Sequence, residues 1–129
     1  MFKKILIIGC GLIGSSILRG SITKKISKHY FVYEKSNKNI QKIKKISNKI
    51  RILKILDNKL SDVDLVVLST PMSEYEKIIP NLNRYLNKNC LITDVGSTKE
   101  NILKLKNKRL SKSLDWITSH PISGSEVSG

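Results

Sequence analysis

The feature that most constrains the fold is an alternation of short, solid apolar runs with longer segments whose apolar residues lie three or four positions apart. The short runs predict buried strands and the longer segments predict amphipathic helices. The predicted strands are Ile5 to Ile8, Tyr30 to Tyr33, Leu65 to Leu68, Leu91 to Thr93 and Trp116 to Thr118. The predicted helices are Leu12 to about Thr23, Ser36 to about Ser47, Ser73 to about Leu86 and Thr98 to about Leu110.

Two stretches complete this pattern. Lys49 to Ser61 is interpreted as a short strand at Ile50 to Leu53 followed by a turn, and Pro80 is expected to bend or restart the third helix. Strands that alternate with helices favour right-handed crossovers and a parallel sheet covered on both faces. The predicted fold class is therefore α/β, a doubly wound parallel sheet in one domain over residues 1–129.

Composition narrows the class of protein. No apolar run approaches the ~20 residues of a membrane-spanning helix, and Cys10 and Cys90 lie far apart without metal-ligand spacing. We therefore expect a cytoplasmic protein with no membrane partner, no disulfide framework and no metal site. The net charge of +14 admits a nucleic-acid binder. However, twenty Lys against four Arg, with no Ala, are typical of an AT-rich coding bias, so we expect no nucleic-acid partner.

A glycine-rich turn follows the first predicted strand and opens the first helix, with the sequence Gly9-Cys-Gly11-Leu12-Ile13-Gly14. Gly9 allows a tight turn, Gly11 lets the main chain approach a pyrophosphate, and Gly14 lets helix and strand pack closely. The amides at the helix N-terminus would then bind the phosphates. The alternative is a glycine turn without a ligand.

An acidic residue follows at the spacing that such a turn requires. Glu34 lies at the end of the second predicted strand, 20 residues after Gly14, where a carboxylate accepts hydrogen bonds from adenosine ribose hydroxyls. Its charge opposes a 2′-phosphate and therefore favours NAD over NADP, although Lys35 and Ser36 soften that preference. The predicted fold is thus a Rossmann-type nucleotide-binding domain, incomplete at its C-terminus.

Three further segments follow strands of the predicted sheet, at the carboxyl edge where such folds bind ligands. In the first, Thr70 is expected to cap a helix that Pro71 begins. In the second, Ser97 forms a capping box with Glu100, which is compatible with a hydroxyl facing the cleft. In the third, His120 is placed to accept a proton from a substrate hydroxyl. The other histidine, His29, is expected to precede the second strand at the opposite edge.

The motifs together resemble one enzyme family. They read Gly9-x-Gly-Leu-Ile-Gly-x-Ser16, Thr-Asp94-Val-Gly96-Ser97-x-Lys99 and His120-Pro121-Ile-x-Gly124-x-Glu126-x-Ser128-Gly129. This set is similar to the N-terminal domain of prephenate dehydrogenases, a family that includes arogenate and cyclohexadienyl dehydrogenases. Ser15 departs from the second glycine that the family often carries.

The resemblance implies roles for particular residues. His120 would be the catalytic base at the C4 hydroxyl of prephenate, and Ser97 would orient that hydroxyl and the nicotinamide. Ser125 and Glu126 would line the substrate pocket, while Thr70 and Pro71 would lie near the cofactor. The implied reaction is oxidative decarboxylation of prephenate to 4-hydroxyphenylpyruvate with NAD, a step of tyrosine biosynthesis.

The resemblance also implies a second, helical domain that forms a homodimer and supplies cations to the substrate, so the 129 residues are expected to be a fragment with weak or no turnover. The sequence leaves arogenate open as the substrate. A β-hydroxyacid-type dehydrogenase, which shares the first motif, and a catalytically inactive nucleotide-binding module are the alternative functions.

Overall fold

A computed structural model describes residues 2–9, 11–87 and 89–95, together with the backbone of residues 115–118. Six parallel strands, β1 to β6 in chain order, form one sheet in the order β3-β2-β1-β4-β5-β6. The strands are Phe2–Ile8, Ser27–Tyr33, Ile50–Leu53, Leu65–Leu68, Leu91–Asp94 and Asp115–Thr118. This strand order is that of a doubly wound dinucleotide-binding sheet, so the predicted fold class is confirmed.

Helices within the described residues cover both faces of this sheet. They are α1 (Leu12–Thr23), α2 (Asn37–Lys44) and α3 (Tyr75–Tyr85), with 3₁₀ turns at Asn58–Asp62 and Met72–Glu74. Alternate residues of β1 pack into two separate hydrophobic cores. Ile5 and Ile7 pack with Leu18 of α1 and Ile43 of α2, whereas Leu6 and Ile8 pack on the face covered by α3. Successive side chains of a strand point to opposite faces of the sheet, and helices cover both faces here. Every position of the run in β1 is therefore apolar.

The ends of α1 and α2 follow local chemistry. Helix α1 begins and ends where its apolar period predicts. Helix α2 begins one residue later than expected because Ser36 is its N-cap and accepts the Asn39 N–H at 3.3 Å. It ends at Lys44, three residues before the predicted end.

Two expectations were wrong, because α3 does not restart at Pro80 and His29 does not precede β2. Helix α3 is continuous through Pro80, whose ring lies on the exposed side of the helix, so the proline removes one donor without restarting the helix. His29 lies within β2, because that strand begins at Ser27 instead of Tyr30. The interpretation of Ile50–Leu53 as a strand is confirmed, and the stretch after it includes a 3₁₀ turn. The predicted helix at Thr98 to Leu110 lies outside the described residues.

The carboxyl ends of five strands lie in one row. Backbone pairing sets Tyr33 beside Ile8, Ile8 beside Leu68, Leu68 beside Asp94, and Asp94 beside Thr118. The segments that follow β1, β2 and β4 therefore leave the sheet at a single edge. In the described part of the chain, no helix is both long and apolar enough to cross a bilayer.

Candidate nucleotide site

The turn after β1 has the backbone geometry that the glycine motif predicts. Gly9 has a φ of +80°, in the region that favours glycine, and a Cβ there would collide with the side chain of Thr70. The Gly9 N–H donates to the Tyr33 carbonyl at 2.8 Å. The tight turn at Gly9 is confirmed, and it ties the end of β1 to the end of β2.

The third glycine of the motif lets α1 pack closely against the strand ends. A Cβ at Gly14 would lie 2.5 Å from the Gly9 carbonyl oxygen and 2.6 Å from the Ser69 Oγ. Ser69 donates from this hydroxyl to the Ile8 carbonyl at 3.2 Å and to the Gly9 carbonyl. Gly14 thus performs the predicted packing role, and Ser69 fills the space that its missing side chain leaves.

The middle glycine faces open space. A Cβ at Gly11 would meet no described atom within 4 Å, and Gly11 is the N-cap of α1. Among the described residues no side chain caps this helix, and its first turn carries no acid. Leu12 and Ile13 expose 88% and 56% of their surface. A helix N-terminus with this composition suits an anion.

Glu34 follows β2 directly and folds back onto its own loop. One carboxylate oxygen, Oε2, accepts the N–H groups of Lys35 and Ser36, each at 3.0 Å. Ser36 in turn caps α2 through Asn39. The acid therefore has a fixed place at the carboxyl edge, because the loop that carries it is hydrogen-bonded from Glu34 to the first turn of α2.

Thr70 does not act as the predicted helix cap. A 3₁₀ turn precedes α3, the Glu74 N–H donates to the Pro71 carbonyl at 2.9 Å, and the N-cap of α3 is Glu74. The Thr70 Oγ1 is buried and has no hydrogen-bond partner among the described residues. A buried hydroxyl without a partner costs free energy, so a ligand that bonds to it would recover that cost.

These residues surround one cleft of about 300 Å³, which we call the carboxyl-edge cleft. It is lined by Gly9, Gly11, Tyr33, Glu34, Lys35, Asn39, Ser69, Thr70, Pro71, Glu74, Lys77 and Ile78. The sequence predicts that six of these residues bind a cofactor: Gly9, Gly11, Glu34, Lys35, Thr70 and Pro71. Their binding role remains a prediction, and their proximity is a property of the structure.

Three lining residues that were not predicted from the sequence belong to α3 and the 3₁₀ turn before it. Glu74 and Lys77 form an ion pair at 3.7 Å, and Ile78 lies one helical turn after Glu74. These residues are spaced three and four positions apart directly after the Pro71 loop, which places them on one helix face at the carboxyl edge. That spacing was the signal in the sequence.

The predicted catalytic and substrate residues Ser97, His120, Ser125 and Glu126 lie outside the described residues. His29 lies in the amino-terminal half of β2, away from the carboxyl-edge cleft. Within the described ranges, no group of three His, Cys, Asp or Glu side chains could hold a metal ion.

The sheet order, the glycine turn and the acid after β2 define the class: a dinucleotide-binding domain of Rossmann type. Residues 20–129 match the family described as prephenate dehydrogenase, nucleotide-binding domain. The chain belongs to this prephenate dehydrogenase family.

Curated relatives carry the names of dehydrogenases. The chain is 34% identical to a prephenate dehydrogenase of Lactococcus lactis, over 98% of the chain and 36% of that relative. It is 30% identical to a cyclohexadienyl dehydrogenase of Zymomonas mobilis, over its whole length and 44% of that relative. The chain thus spans less than half the length of these two enzymes.

Two solved structures of dehydrogenases are similar to this chain. The prephenate dehydrogenase of Aquifex aeolicus in complex with hydroxyphenyl propionate and NAD⁺ is 25% identical, with a TM-score of 0.76. The match covers all of this chain and 45% of that one. An arogenate dehydrogenase of Synechocystis shares the fold, with a TM-score of 0.62 over 77% of this chain and 34% of that chain.

Proposed function

We propose that this chain is the nucleotide-binding part of an NAD-dependent prephenate dehydrogenase. The observation that carries the proposal is the carboxyl-edge cleft, which brings the glycine turn and Glu34 together in a chain of this family. The L. lactis and Z. mobilis relatives and the NAD⁺-bound A. aeolicus structure support it.

The residues of the cleft fit a dinucleotide. Gly11 leaves room for a pyrophosphate on the amides of Leu12 and Ile13, and Glu34 would accept hydrogen bonds from the adenosine ribose. Thr70 has a buried hydroxyl that lacks a partner among the described residues, as expected of a group that hydrogen-bonds to a ligand. When bound, NAD⁺ supplies the hydride acceptor. We assign NAD as the preferred cofactor because Glu34 repels a 2′-phosphate.

The chemical step rests on the motif residues. We assign His120 to withdraw the proton of the prephenate C4 hydroxyl as the C4 hydride departs, with Ser97 orienting that hydroxyl. The bond from the ring to its carboxylate then breaks, its electron pair aromatises the ring, and the proton returns to the phenol oxygen. Carbon dioxide and 4-hydroxyphenylpyruvate result. Ser125 and Glu126 would line the substrate pocket.

The whole enzyme would require more than the cleft. Cations for the substrate carboxylates and a homodimer contact are assigned to a helical second domain, as the resemblance implies. The choice between prephenate and arogenate would also be made there.

Nucleotide binding is tested by two matched glycine variants. Neither Gly11 nor Gly20 would bring a new Cβ within 4 Å of a described atom, and both lie at or in α1. We expect Gly11→Ala to raise the NAD dissociation constant by about tenfold in titration calorimetry, because the methyl group occupies the phosphate approach. Gly20→Ala should leave it unchanged. Equal affinity in the two variants would refute the assigned phosphate position.

The reaction is tested by offering prephenate, arogenate and short hydroxyacids, with NAD, to a protein that joins this chain to a helical second domain of the family, and by following NADH formation. We expect turnover with prephenate, and a loss of about 10²- to 10⁴-fold in kcat for His120→Asn with unchanged NAD affinity. Turnover of a hydroxyacid alone would overturn the substrate assignment. The 129-residue chain by itself is expected to bind NAD and to turn over very weakly.

A further inference from the structure

Strand β3 lies at one side of the sheet. It pairs with β2 alone among the described strands, so its other side carries no strand in the described part of the chain. Alternate backbone N–H and C=O groups of Ile50–Leu53 therefore point away from β2. We call this outer row of backbone groups the β3 edge. Such a row can form hydrogen bonds with one more strand.

A cavity lies on each face of the sheet beside the β3 edge. The first, of about 510 Å³, lies on the face covered by α3, and Arg51 and Leu53 are among its lining residues. The second, of about 370 Å³, lies on the other face, where Ile40 of α2 and Ile50 line it. Ile52 lines both cavities. Because successive side chains of a strand point to opposite faces, the side chains of an added strand would enter the two cavities in turn.

The cations that line these cavities outnumber the acids. Four of the cations are exposed and form no ion pair with another described residue: Lys44, Arg51, Lys54 and Lys59. Asp62 is the one acid among the described lining residues, and it pairs with Lys4. A strand bound at the β3 edge would therefore meet positive charge on both of its faces.

Exposed apolar surface accompanies this charge. Ile55 follows β3 by two residues and exposes 68% of its surface, while Ile50 and Ile52 are half-buried. A large exposed apolar side chain beside an open strand is typical of a surface that contacts another protein. An occupant that covers the β3 edge would therefore carry apolar as well as acidic side chains.

The charge disfavours a second copy of the chain as the occupant. Two β3 edges that paired with each other would bring Arg51 and the lysines near it against the same residues of the other copy. Like charges that face each other across a strand pair are destabilising. The net charge of +14 also opposes association between copies. The same cations attract a strand of opposite charge.

We propose that the β3 edge is a docking site for an extended, acidic segment of a partner protein, which adds one more strand to the sheet. Its backbone pairs with the outward N–H and C=O groups of Ile50–Leu53, and its carboxylate and apolar side chains enter the two cavities. The two cavities share no lining residue with the carboxyl-edge cleft, so the partner and the nucleotide bind at separate places.

A peptide of four Glu-Val repeats is the probe for this site. Its controls are four Lys-Val repeats, which reverse the charge, and four Glu-Pro repeats, which keep the charge but lack every second N–H. We expect the Glu-Val peptide to bind with a dissociation constant of about 10–100 μM in titration calorimetry, and both controls to bind at least about tenfold more weakly. The outward amides of β3 should exchange hydrogen about tenfold more slowly when the Glu-Val peptide is bound.

Charge variants separate the β3 edge from the rest of the basic surface. The edge variant combines Lys44→Gln, Arg51→Gln, Lys54→Gln and Lys59→Gln. The control variant removes the same charge at exposed lysines that line neither cavity, by Lys24→Gln, Lys28→Gln, Lys38→Gln and Lys42→Gln. We expect affinity for the Glu-Val peptide to fall at least about tenfold in the edge variant and less than about threefold in the control variant. NAD affinity should be unchanged in the edge variant.

The outcomes decide between a strand site and simple charge attraction. An equal loss in the two variants, or equal binding of the Glu-Val and Glu-Pro peptides, overturns the proposal. Absence of Glu-Val binding, or binding that leaves the β3 amides unprotected, also overturns it, and in each case the nucleotide site stands or falls by its own NAD titration. An oligouridylate of about ten nucleotides that binds more tightly than the peptide, and that loses the same affinity in the edge variant, would assign the surface to nucleic acid instead. If the edge variant fails to fold, Arg51→Gln alone must lower peptide affinity about threefold while Lys42→Gln leaves it unchanged.

Discussion

The two edges of the sheet satisfy their polar groups in different ways. At the amino edge, the Asp64 carboxylate accepts the N–H groups of Lys3 at 2.8 Å and Lys4 at 2.9 Å, and the Asp64 carbonyl accepts the Leu91 N–H at 3.0 Å. At the carboxyl edge, the Thr70 hydroxyl has no partner among the described residues, and no described side chain caps α1. One edge is closed by its own hydrogen bonds, whereas the other leaves a buried hydroxyl and a helix N-terminus without a side-chain partner among the described residues.

Cavity volume alone does not single out the carboxyl-edge cleft. A cavity of about 510 Å³ lies beside β3 and the Asn58–Asp62 turn, and it is larger than the carboxyl-edge cleft. Three cations line it, and one of them, Lys4, pairs with Asp62 and lies 5.2 Å from the centroid of the Phe31 ring. The unsatisfied groups of the smaller cleft distinguish the two cavities better than volume does.

The largest expected effect on function is at Gly14. A methyl group there would lie 2.5 Å from the Gly9 carbonyl oxygen, so Gly14→Ala must push α1 away from the strand ends. We expect the NAD dissociation constant to rise by about 100-fold, and the free energy of unfolding to fall by about 1–3 kcal/mol. Titration calorimetry and urea denaturation measure the two. Gly11→Ala should lower NAD affinity with a smaller loss of stability, because its Cβ meets no described atom and only the N-cap preference is lost. An equal loss of stability in both variants would contradict the packing argument.

The amino edge should show the reverse pattern. Asp64→Ala leaves the N–H groups of Lys3 and Lys4 without their acceptor, and we expect about 1–3 kcal/mol less stability with unchanged NAD affinity in the folded protein. Asp62→Ala is the matched control, because it breaks only a partly exposed ion pair worth less than about 1 kcal/mol. If NAD affinity falls in the Asp64→Ala variant while that protein is fully folded, the two edges are not independent.

Local chemistry explains which features could be predicted from the sequence. The positive φ of Gly9 and the bounds of α1 follow from residue types within a few positions of each other. The strands were found because a sheet buried on both faces requires continuous apolar runs. The row of strand ends then follows from parallel topology, so the assembly of Gly9, Glu34 and Thr70 at one edge was predictable as well.

The features that were missed depend on tertiary packing. The position of Pro80 on an exposed helix face, which lets α3 continue, cannot be read from the proline itself. Thr70 matches a helix cap in sequence, but a 3₁₀ turn intervenes and its hydroxyl is buried instead. The contribution of Lys77 to the cleft likewise depends on how α3 packs against the sheet.

A smaller effect is expected from Thr70→Val, which replaces the partnerless hydroxyl by a methyl group of similar size. We expect stability to stay constant or rise by up to about 1 kcal/mol, and NAD affinity to fall about three- to tenfold if the hydroxyl bonds to the nucleotide. Ser69→Ala is the neighbouring comparison, since it removes hydrogen bonds to the Ile8 and Gly9 carbonyls and should lower stability by about 1 kcal/mol. A loss of stability in Thr70→Val equal to that of Ser69→Ala would show that the hydroxyl already has a partner.

The smallest effect on function concerns Cys90, which precedes β5 at the closed amino edge and is expected to change stability alone, and only above pH 9.0. Burial, and secondarily the negative charge of Asp64, raises the pKa of this thiol from 9.0 to about 12. The folded protein therefore keeps the thiol neutral while the unfolded chain ionises it, so its stabilising contribution is complete below pH 9.0 and is lost as the pH rises toward about 12. In a Cys10→Ser background, urea denaturation across this window should show a decline of up to about 1.4 kcal/mol per pH unit relative to Cys90→Ala. If the free energy of unfolding of the two proteins changes with pH in the same way, the thiol is accessible to water and the amino edge is more open than its hydrogen bonds indicate.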